Sequence, residues 1–227
     1  MQQAASTGSA PSEATTKLTR ALLACGVVAG PFYIVVGVLQ LFIRPGFDIT
    51  RHMLSLLANG DLGWIQITNF EVSGLLTIAG AIGIRQVLRG ESGGTWGPWL
   101  LALYGLGLMA AGIFRADPAL GFPPGTPADA NAVSWHGLMH LISASVGFLG
   151  LIAACFVFAR RFGTLKQRGW AVYSVVTGVL FFAALAGIAS GSKGPTTVTF
   201  AIGVVIGWAW ISALAARLLS EHPAAKG

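Results

Sequence analysis

Six long apolar segments separated by short polar connectors limit this 227-residue chain to a membrane fold. Hydrophobic residues make up 54% of the sequence and charged residues only 10%, a composition that a water-soluble domain would not tolerate. About 20 apolar residues in a helix cross the bilayer core, where backbone polar groups must bond within the segment. We therefore predict an all-α, polytopic membrane protein with six transmembrane helices in one bundle. The predicted spans are residues 21–43, 64–84, 96–114, 135–159, 170–189 and 198–219.

The ends of the chain and its cations predict an orientation. Residues 1–16 lack apolar periodicity and are expected to form a disordered tail, followed by a six-helix domain over residues 17–220 and a short tail over residues 221–227. Lys and Arg favour the cytoplasmic side of membrane proteins, so the bias predicts a multi-pass plasma-membrane protein with both termini cytoplasmic. The ten cations placed inside are Lys17, Arg20, Arg85, Arg89, Arg160, Arg161, Lys166, Arg168, Arg217 and Lys226, against Arg44, Arg51, Arg115 and Lys193 outside.

The first connector on the outer side carries the signals of a short helix. Asp48 is a typical N-cap and Asn59 with the following glycine a typical end signal, so we expect a short interfacial or re-entrant helix between helices 1 and 2. In such a helix Asp48, His52, Ser55 and Asn59 would form one polar stripe. The stripe either lines a site or simply faces water.

Two histidines at the start of helix 4 suggest a metal site. His136 and His140 are four residues apart, which places them on one helix face at a spacing suited to one metal ion. A catalytic zinc typically has three protein ligands, and His52 or Asp117 is expected to supply the third. Zinc or another divalent metal is the cofactor this predicts. The alternative is a hydrogen-bonded pair that fixes helix packing, while haem, which would need His52 opposite one of the pair, is a weaker possibility.

Other polar residues are expected on the same side of the membrane. Glu71 lies inside helix 2, where a carboxylate normally faces protein or a water cavity, so it is a candidate proton-handling group together with Asp117 and Ser55. Arginine binds phosphate and carboxylate groups bidentately, although salt bridges with nearby aspartates are the alternative role. The candidate substrate-binding residues are Arg51, Arg115 and Asp48.

Small residues at GxxxG spacing predict close helix packing in lipid, within the chain or in a homo-oligomer. Three pairs have this spacing: Gly26 and Gly30, Gly187 and Gly191, and Gly203 and Gly207.

Three sequence blocks resemble a known membrane family. RPGFDITRHMLSLLANGDLGWIQITNF, GIFRADP and SWHGLMH are similar to the bacterial and archaeal integral-membrane family of domain of unknown function 998. The resemblance implies a membrane location and a helical fold but no activity. A second similarity is to the membrane hydrolases that include alkaline ceramidases and the progestin and adipoQ receptors. It implies a zinc site in which His136 and His140 form the HxxxH pair, Asp117 is the aspartate and His52 is the remaining histidine. This chain departs from the pattern at Ser55, which follows His52, whereas that family has a serine before its histidine.

These observations lead to three hypotheses about function. The first is a polar cavity in the outer leaflet that belongs to a metal-dependent hydrolase of a lipid or amphiphile. The second is a proton-coupled transporter or small-ligand-binding membrane protein without metal. The third is a non-catalytic membrane component. The expected partners are membrane lipids and a lipid or small-molecule substrate; nucleic acid is not expected, because the cations lie in connectors between spans.

Overall fold

The computed structural model describes residues 12–130, 132–191 and 195–222. All six helices predicted from the sequence are present, and each is long and apolar enough to cross a membrane. A short 3-10 helix, Leu54–Ala58, lies in the connector between the first two. The helices are α1 Glu13–Ile43, α2 Gly63–Val87, α3 Trp96–Ile113, α4 Trp135–Thr164, α5 Arg168–Ala189 and α6 Pro195–Glu221.

Helix α1 begins earlier than its apolar segment. The Ser12 hydroxyl accepts a hydrogen bond from the Thr15 backbone N–H and caps the helix, and Glu13 pairs with Lys17 one turn later at 2.5 Å. Residues 13–16, expected in the N-terminal tail, are therefore helical. The rest of that tail and most of the C-terminal tail, residues 1–11 and 223–227, lie outside the described part of the chain.

The six helices form a closed ring. Each helix packs against its neighbours in sequence, and α6 closes the ring on α1. Glycines permit close approach at several of these contacts: a Cβ atom at Gly26 would lie 3.0 Å from the Cβ of Ala215, and one at Gly107 would lie 2.8 Å from the Cα of Gly147. The GxxxG glycines of α1 and α6 therefore pack within the chain.

The two ends of the ring differ in their interior. The terminal end, where α1 begins and α6 ends, is filled by fully buried large side chains such as Phe158 and Trp210. At the opposite end α1, α3 and α5 finish and α2, α4 and α6 begin. We call it the cavity end, because the ring there encloses a large space that the connectors cover.

The helix expected over residues 48–59 is wrong in extent. Only Leu54–Ala58 is helical, as a 3-10 turn, because Asp48 and His52 form local side-chain bonds that compete with helix formation. Asp48 Oδ1 accepts bonds from the N–H and the hydroxyl of Thr50, and these bonds hold the pKa of Asp48 below its ordinary value. The predicted polar stripe does not exist, since Asp48 is exposed whereas His52 and Asn59 are buried.

Candidate functional site

The space at the cavity end has a volume of about 790 Å³. All six helices contribute to its wall, as do the connectors that follow α1 and α3. Its deep end is aromatic: the Tyr33 and Tyr104 rings lie 4.9 Å and 5.3 Å from the Trp208 ring. From Tyr104 to the end of α3 at Ile113 the helix rises by about 14 Å, so the cavity reaches nearly half-way through a 30 Å bilayer core.

Most of the cavity wall is apolar. Leu108, Phe148 and Phe200 are examples from three different helices. The polar and charged side chains that contribute to the wall are Tyr33, Arg51, His52, Ser55, Tyr104, Asp117, His140, Ser145 and Thr197.

Arg44 holds the first connector in place. It follows α1 directly, is only 6% exposed, and donates hydrogen bonds to the carbonyls of Leu57 at 2.6 Å, Leu62 at 3.2 Å and Asn59. Its guanidinium also lies 5.3 Å from the centre of the Phe122 ring. Burial lowers the pKa of Arg44 from its ordinary value, yet an arginine stays charged at neutral pH. In the sequence Arg44 indicates only the orientation of the chain, and nothing local shows that its side chain turns back to the connector.

His52 joins the connector that follows α1 to the connector that follows α3. Its Nδ1 accepts a hydrogen bond of 2.9 Å from the Asp48 backbone N–H, so the proton of the neutral ring lies on Nε2, which donates to the Leu120 carbonyl at 3.1 Å. The ring is only 2% exposed and packs beside Phe47 and Phe122. Both ring nitrogens are thus used, and a metal would have to break one of these bonds.

Asn59 and Phe122 reinforce the same junction. The Asn59 amide donates to the carbonyls of Leu56 and Ala116, which ties the first connector to the residues after α3. Phe122 is buried with Leu56 and Leu57 in a small core of its own. The segment of residues 120–127 is therefore anchored over the cavity end by a buried aromatic side chain.

Asp117 holds Ser134, the N-cap residue of helix α4. Its two carboxylate oxygens accept hydrogen bonds from the hydroxyl and the backbone N–H of Ser134 at 2.6 Å and 2.8 Å, and the Ser134 hydroxyl accepts one from Gly137. A carboxylate at a helix N-terminus is also favoured by the helix dipole. The Asp117 carboxylate lies directly against Gly137, where a Cβ atom would collide with it.

His140 lies inside the bundle and is 4% exposed. Its Nδ1 lies 3.0 Å from the Ala111 carbonyl and 2.9 Å from the Phe114 carbonyl, two acceptors at the end of α3 that lack helical partners. Because only a protonated nitrogen can bond to carbonyls, the neutral ring carries its proton on Nδ1. Nε2 is then a free acceptor without a partner among the described residues, in a side chain that forms part of the cavity wall.

His136 and Glu71 do not line the cavity. His136 is exposed, because α3 ends at Ile113 and leaves it at the rim beside Phe114 and Trp135, whose ring centres lie 6.0 Å and 4.0 Å away. Glu71 is half-buried between α2 and α3, with its carboxylate against Gly112. The structure therefore brings His140 to the cavity and leaves both of these side chains outside it.

The remaining candidates separate into two groups. Arg51 and Ser55 contribute to the cavity wall, whereas Asp48 and Arg115 are exposed and do not. The expected salt bridges with Asp48 and Asp117 are absent: all ion pairs among the described residues lie at the terminal end. Arg51 makes one long hydrogen bond of 3.4 Å to the Leu120 carbonyl, and its charge adds to the Thr50 hydrogen bonds in lowering the pKa of Asp48, but it forms no ion pair within the described part of the chain.

A polar cluster inside the membrane was not identified from the sequence. Gln40 donates to the Gln66 side chain at 2.7 Å, and Asn69 donates to Gln66 and to the Tyr33 carbonyl. Gln40, Gln66, Asn69 and Ser73 are fully buried between α1 and α2. Polar residues this deep are costly without partners, and their placement in two apolar segments is the signal that could have paired the helices.

The residues do not form the predicted metal centre. Within residues 12–130, 132–191 and 195–222, no group of three or more His, Cys, Asp or Glu side chains is placed to hold a metal ion. His52 and Asp117 use their polar atoms in structural bonds, and His136 lies at the rim. The ligand roles predicted for the three histidines find no support in this geometry.

The fold and the cavity define a multi-pass membrane protein with contact to lipid around its ring of six helices. Residues 27–217 match the family described as Protein of unknown function (DUF998). The chain belongs to this family, as its three sequence blocks predicted. No curated protein and no solved structure matches the chain. The similarity to alkaline ceramidases therefore stays a prediction.

Proposed function

We propose that the protein binds an amphiphile of the membrane, with an acyl chain in the cavity and an anionic head group at its mouth. One observation carries the proposal: a largely apolar cavity of about 790 Å³ whose mouth bears Arg51, which forms no ion pair among the described residues. Its volume lies within the range of about 300–1,000 Å³ typical of small-ligand sites. In its depth and polarity the cavity suits a molecule that is apolar at one end and charged at the other.

The charge of the head group follows from which polar groups are already used. Both oxygens of Asp117 are bonded to Ser134, whereas Arg51 lacks an ion-pair partner among the described residues. A phosphate or carboxylate would gain a charge-assisted bond from Arg51 without displacing a partner. His140 Nε2 adds an acceptor for a ligand hydroxyl or N–H.

The proposal includes sidedness. The cations of the described residues lie mostly at the terminal end, and the aspartates lie at the cavity end. The positive-inside rule then puts the termini in the cytoplasm and the cavity in the outer leaflet of the plasma membrane. An amphiphile of that leaflet has its head group at the level of Arg51.

Binding is tested with purified protein in nanodiscs and three probes: oleate, phosphatidylglycerol and phosphatidylcholine. Ala144 lines the cavity, and Ala144→Trp is expected to weaken binding at least about tenfold because the added ring fills the site. Ala183 is exposed on α5 and outside the cavity, so Ala183→Trp is the matched control. Arg51→Gln is expected to weaken binding of the two anionic probes by about threefold to tenfold. The effect on phosphatidylcholine is expected to be smaller, because its choline cation offsets the charge of its phosphate.

The probes also separate the sources of the anionic group. Preference for oleate indicates a carboxylate, and preference for phosphatidylglycerol indicates a phosphodiester. If wild type binds none of the probes saturably, or if Ala144→Trp binds as well as Ala183→Trp, the proposed function is wrong.

The other functional hypotheses stay predictions from the sequence. A metal-dependent hydrolase needs a set of three ligands, and none is brought together within the described part of the chain. Metal content of wild type beside His140→Ala is its test. A proton-coupled transporter using Glu71 needs a path from that carboxylate to the cavity, and Glu71 lies outside the cavity wall. Proton flux that Glu71→Gln abolishes would support the transporter. Dimer formation through glycine contacts also stays a prediction.

A further inference from the structure

Helices α1 and α6 are close at one end of their contact and apart at the other. Toward the terminal end, a Cβ atom at Gly26 would lie 3.0 Å from Ala215, and one at Gly30 would lie 2.8 Å from the Trp208 carbonyl. Two turns further along α1, a Cβ atom at Gly37 would meet nothing within 4 Å. Helices α1 and α6 are therefore in close contact from Gly30 toward the terminal end, and they separate beside the cavity.

The opening is a groove of about 290 Å³ with an apolar wall. Gly37, Val38 and Leu41 form its α1 side, and Ile202 and Val205 belong to its α6 side. Val38, Ile202 and Val205 are exposed, in segments that cross the membrane, so lipid chains surround the groove.

The groove adjoins the central cavity. Tyr33, Leu54, Ala201 and Val204 contribute to the walls of both. These four side chains form a thin partition between the surrounding lipid and the cavity, and Leu54 belongs to the 3-10 turn of a connector, not to a transmembrane helix. A connector side chain can move without displacing a helix.

We infer that the groove is the lateral entrance through which an acyl chain passes from the outer leaflet into the cavity, with Leu54 as its movable gate. The inference rests on the proposed function, because it supplies the route for the ligand proposed there. An acyl chain is the occupant that fits, since no charged side chain is among the described residues that line the groove, and the groove lies at the depth of lipid tails. The head group stays at the membrane surface during this passage and reaches Arg51 without crossing apolar wall.

The entrance is tested by the rate at which a chain reaches the cavity. Ser145 lines the cavity, so a bimane label on Ser145→Cys in a Cys25→Ala background reports arrival of stearate that carries a nitroxide quencher on its chain. Proteoliposomes are mixed with the quencher in a stopped-flow instrument, and both the rate and the half-saturation of quenching are measured.

Three variants make the test specific. Gly37→Leu has room for its side chain and fills the groove, so quenching is expected to slow about tenfold with half-saturation unchanged. Leu54→Ala thins the partition and is expected to speed quenching about threefold. Ala209 is exposed on α6 outside the groove, and Ala209→Leu is the control with the wild-type rate.

Each outcome has one meaning. Equal rates in Gly37→Leu and Ala209→Leu overturn the entrance while the proposed function stands. A loss of affinity in Gly37→Leu without slower quenching also overturns it, because the groove would then hold part of the bound ligand. Absence of saturable quenching in wild type overturns the proposed function itself, and the entrance with it.

Discussion

Arg44 is expected to hold the first connector of the cavity end in its folded position. Arg44→Met keeps most of the side-chain length beside Phe122 but removes the hydrogen bonds to three main-chain carbonyls, those of Leu57, Asn59 and Leu62. Because the donor of these hydrogen bonds is charged, their loss costs more free energy than the loss of an ordinary surface contact. The helices themselves do not depend on Arg44, so the effect is expected to be local.

The expected magnitude follows from the number of bonds and their exposure. A hydrogen bond to a charged group contributes about 1.5–3 kcal/mol, so three give an upper limit of about 5–9 kcal/mol. Leu62 is exposed, and water can replace the bond to its carbonyl. We therefore expect the free energy of local opening to fall by about 3 kcal/mol, which corresponds to roughly a hundredfold faster amide exchange.

Hydrogen–deuterium exchange in nanodiscs measures this opening. The backbone N–H groups of Asn59 and Gly63 are bonded within the connector, to Leu56 and Gly60, and report on it. Arg51→Met is the matched control, because Arg51 is in the same connector but exposed and makes one long bond. Exchange in Arg44→Met within about threefold of the control would refute the reasoning.

Two further predictions concern the ends of the connectors. Gly137→Ala displaces the Asp117 carboxylate from its bonds to the N-cap residue Ser134 and is expected to destabilise the protein by about 1–2 kcal/mol, a fall in Tm of a few degrees in detergent. Gly163→Ala in the same helix has open space and leaves Tm unchanged or slightly raised. The Thr50 hydroxyl and N–H lower the pKa of Asp48 in the folded protein. The Asp48 carboxylate therefore stabilises the turn fully above its unfolded pKa of about 3.9, and this stabilisation is lost as pH falls through its folded pKa. Hydrogen exchange of the Thr50 amide, corrected for its intrinsic rate, is expected to be constant from about pH 5 to 8 and to become faster below about pH 4. Asp48→Ala is expected to remove this pH dependence. Faster exchange already near neutral pH would contradict the assignment.

The polar residues show how far local patterns predict a site. The prediction that they lie at one end of the bundle was correct, because a helix that spans the bilayer fixes which residues leave it together. Their roles were not predictable: His52 bonds to Leu120 and Asn59 to Ala116, partners 68 and 57 positions away. Helical spacing put His136 and His140 on one face, but the end of α3 at Ile113 leaves one exposed and buries the other.

The sequence by itself determined that the chain folds in lipid, how many helices it has, and which helix ends share a face of the membrane. It did so because lipid cannot satisfy backbone polar groups, so every apolar segment of sufficient length has to be a helix. Only the tertiary structure decided that the six helices close into a ring and that α1 and α6 separate at Gly37. It also decided that His52 and Asp117, two of the candidate site residues, hold the connectors together. These features depend on contacts between residues far apart in sequence, for which a single chain carries no local signal.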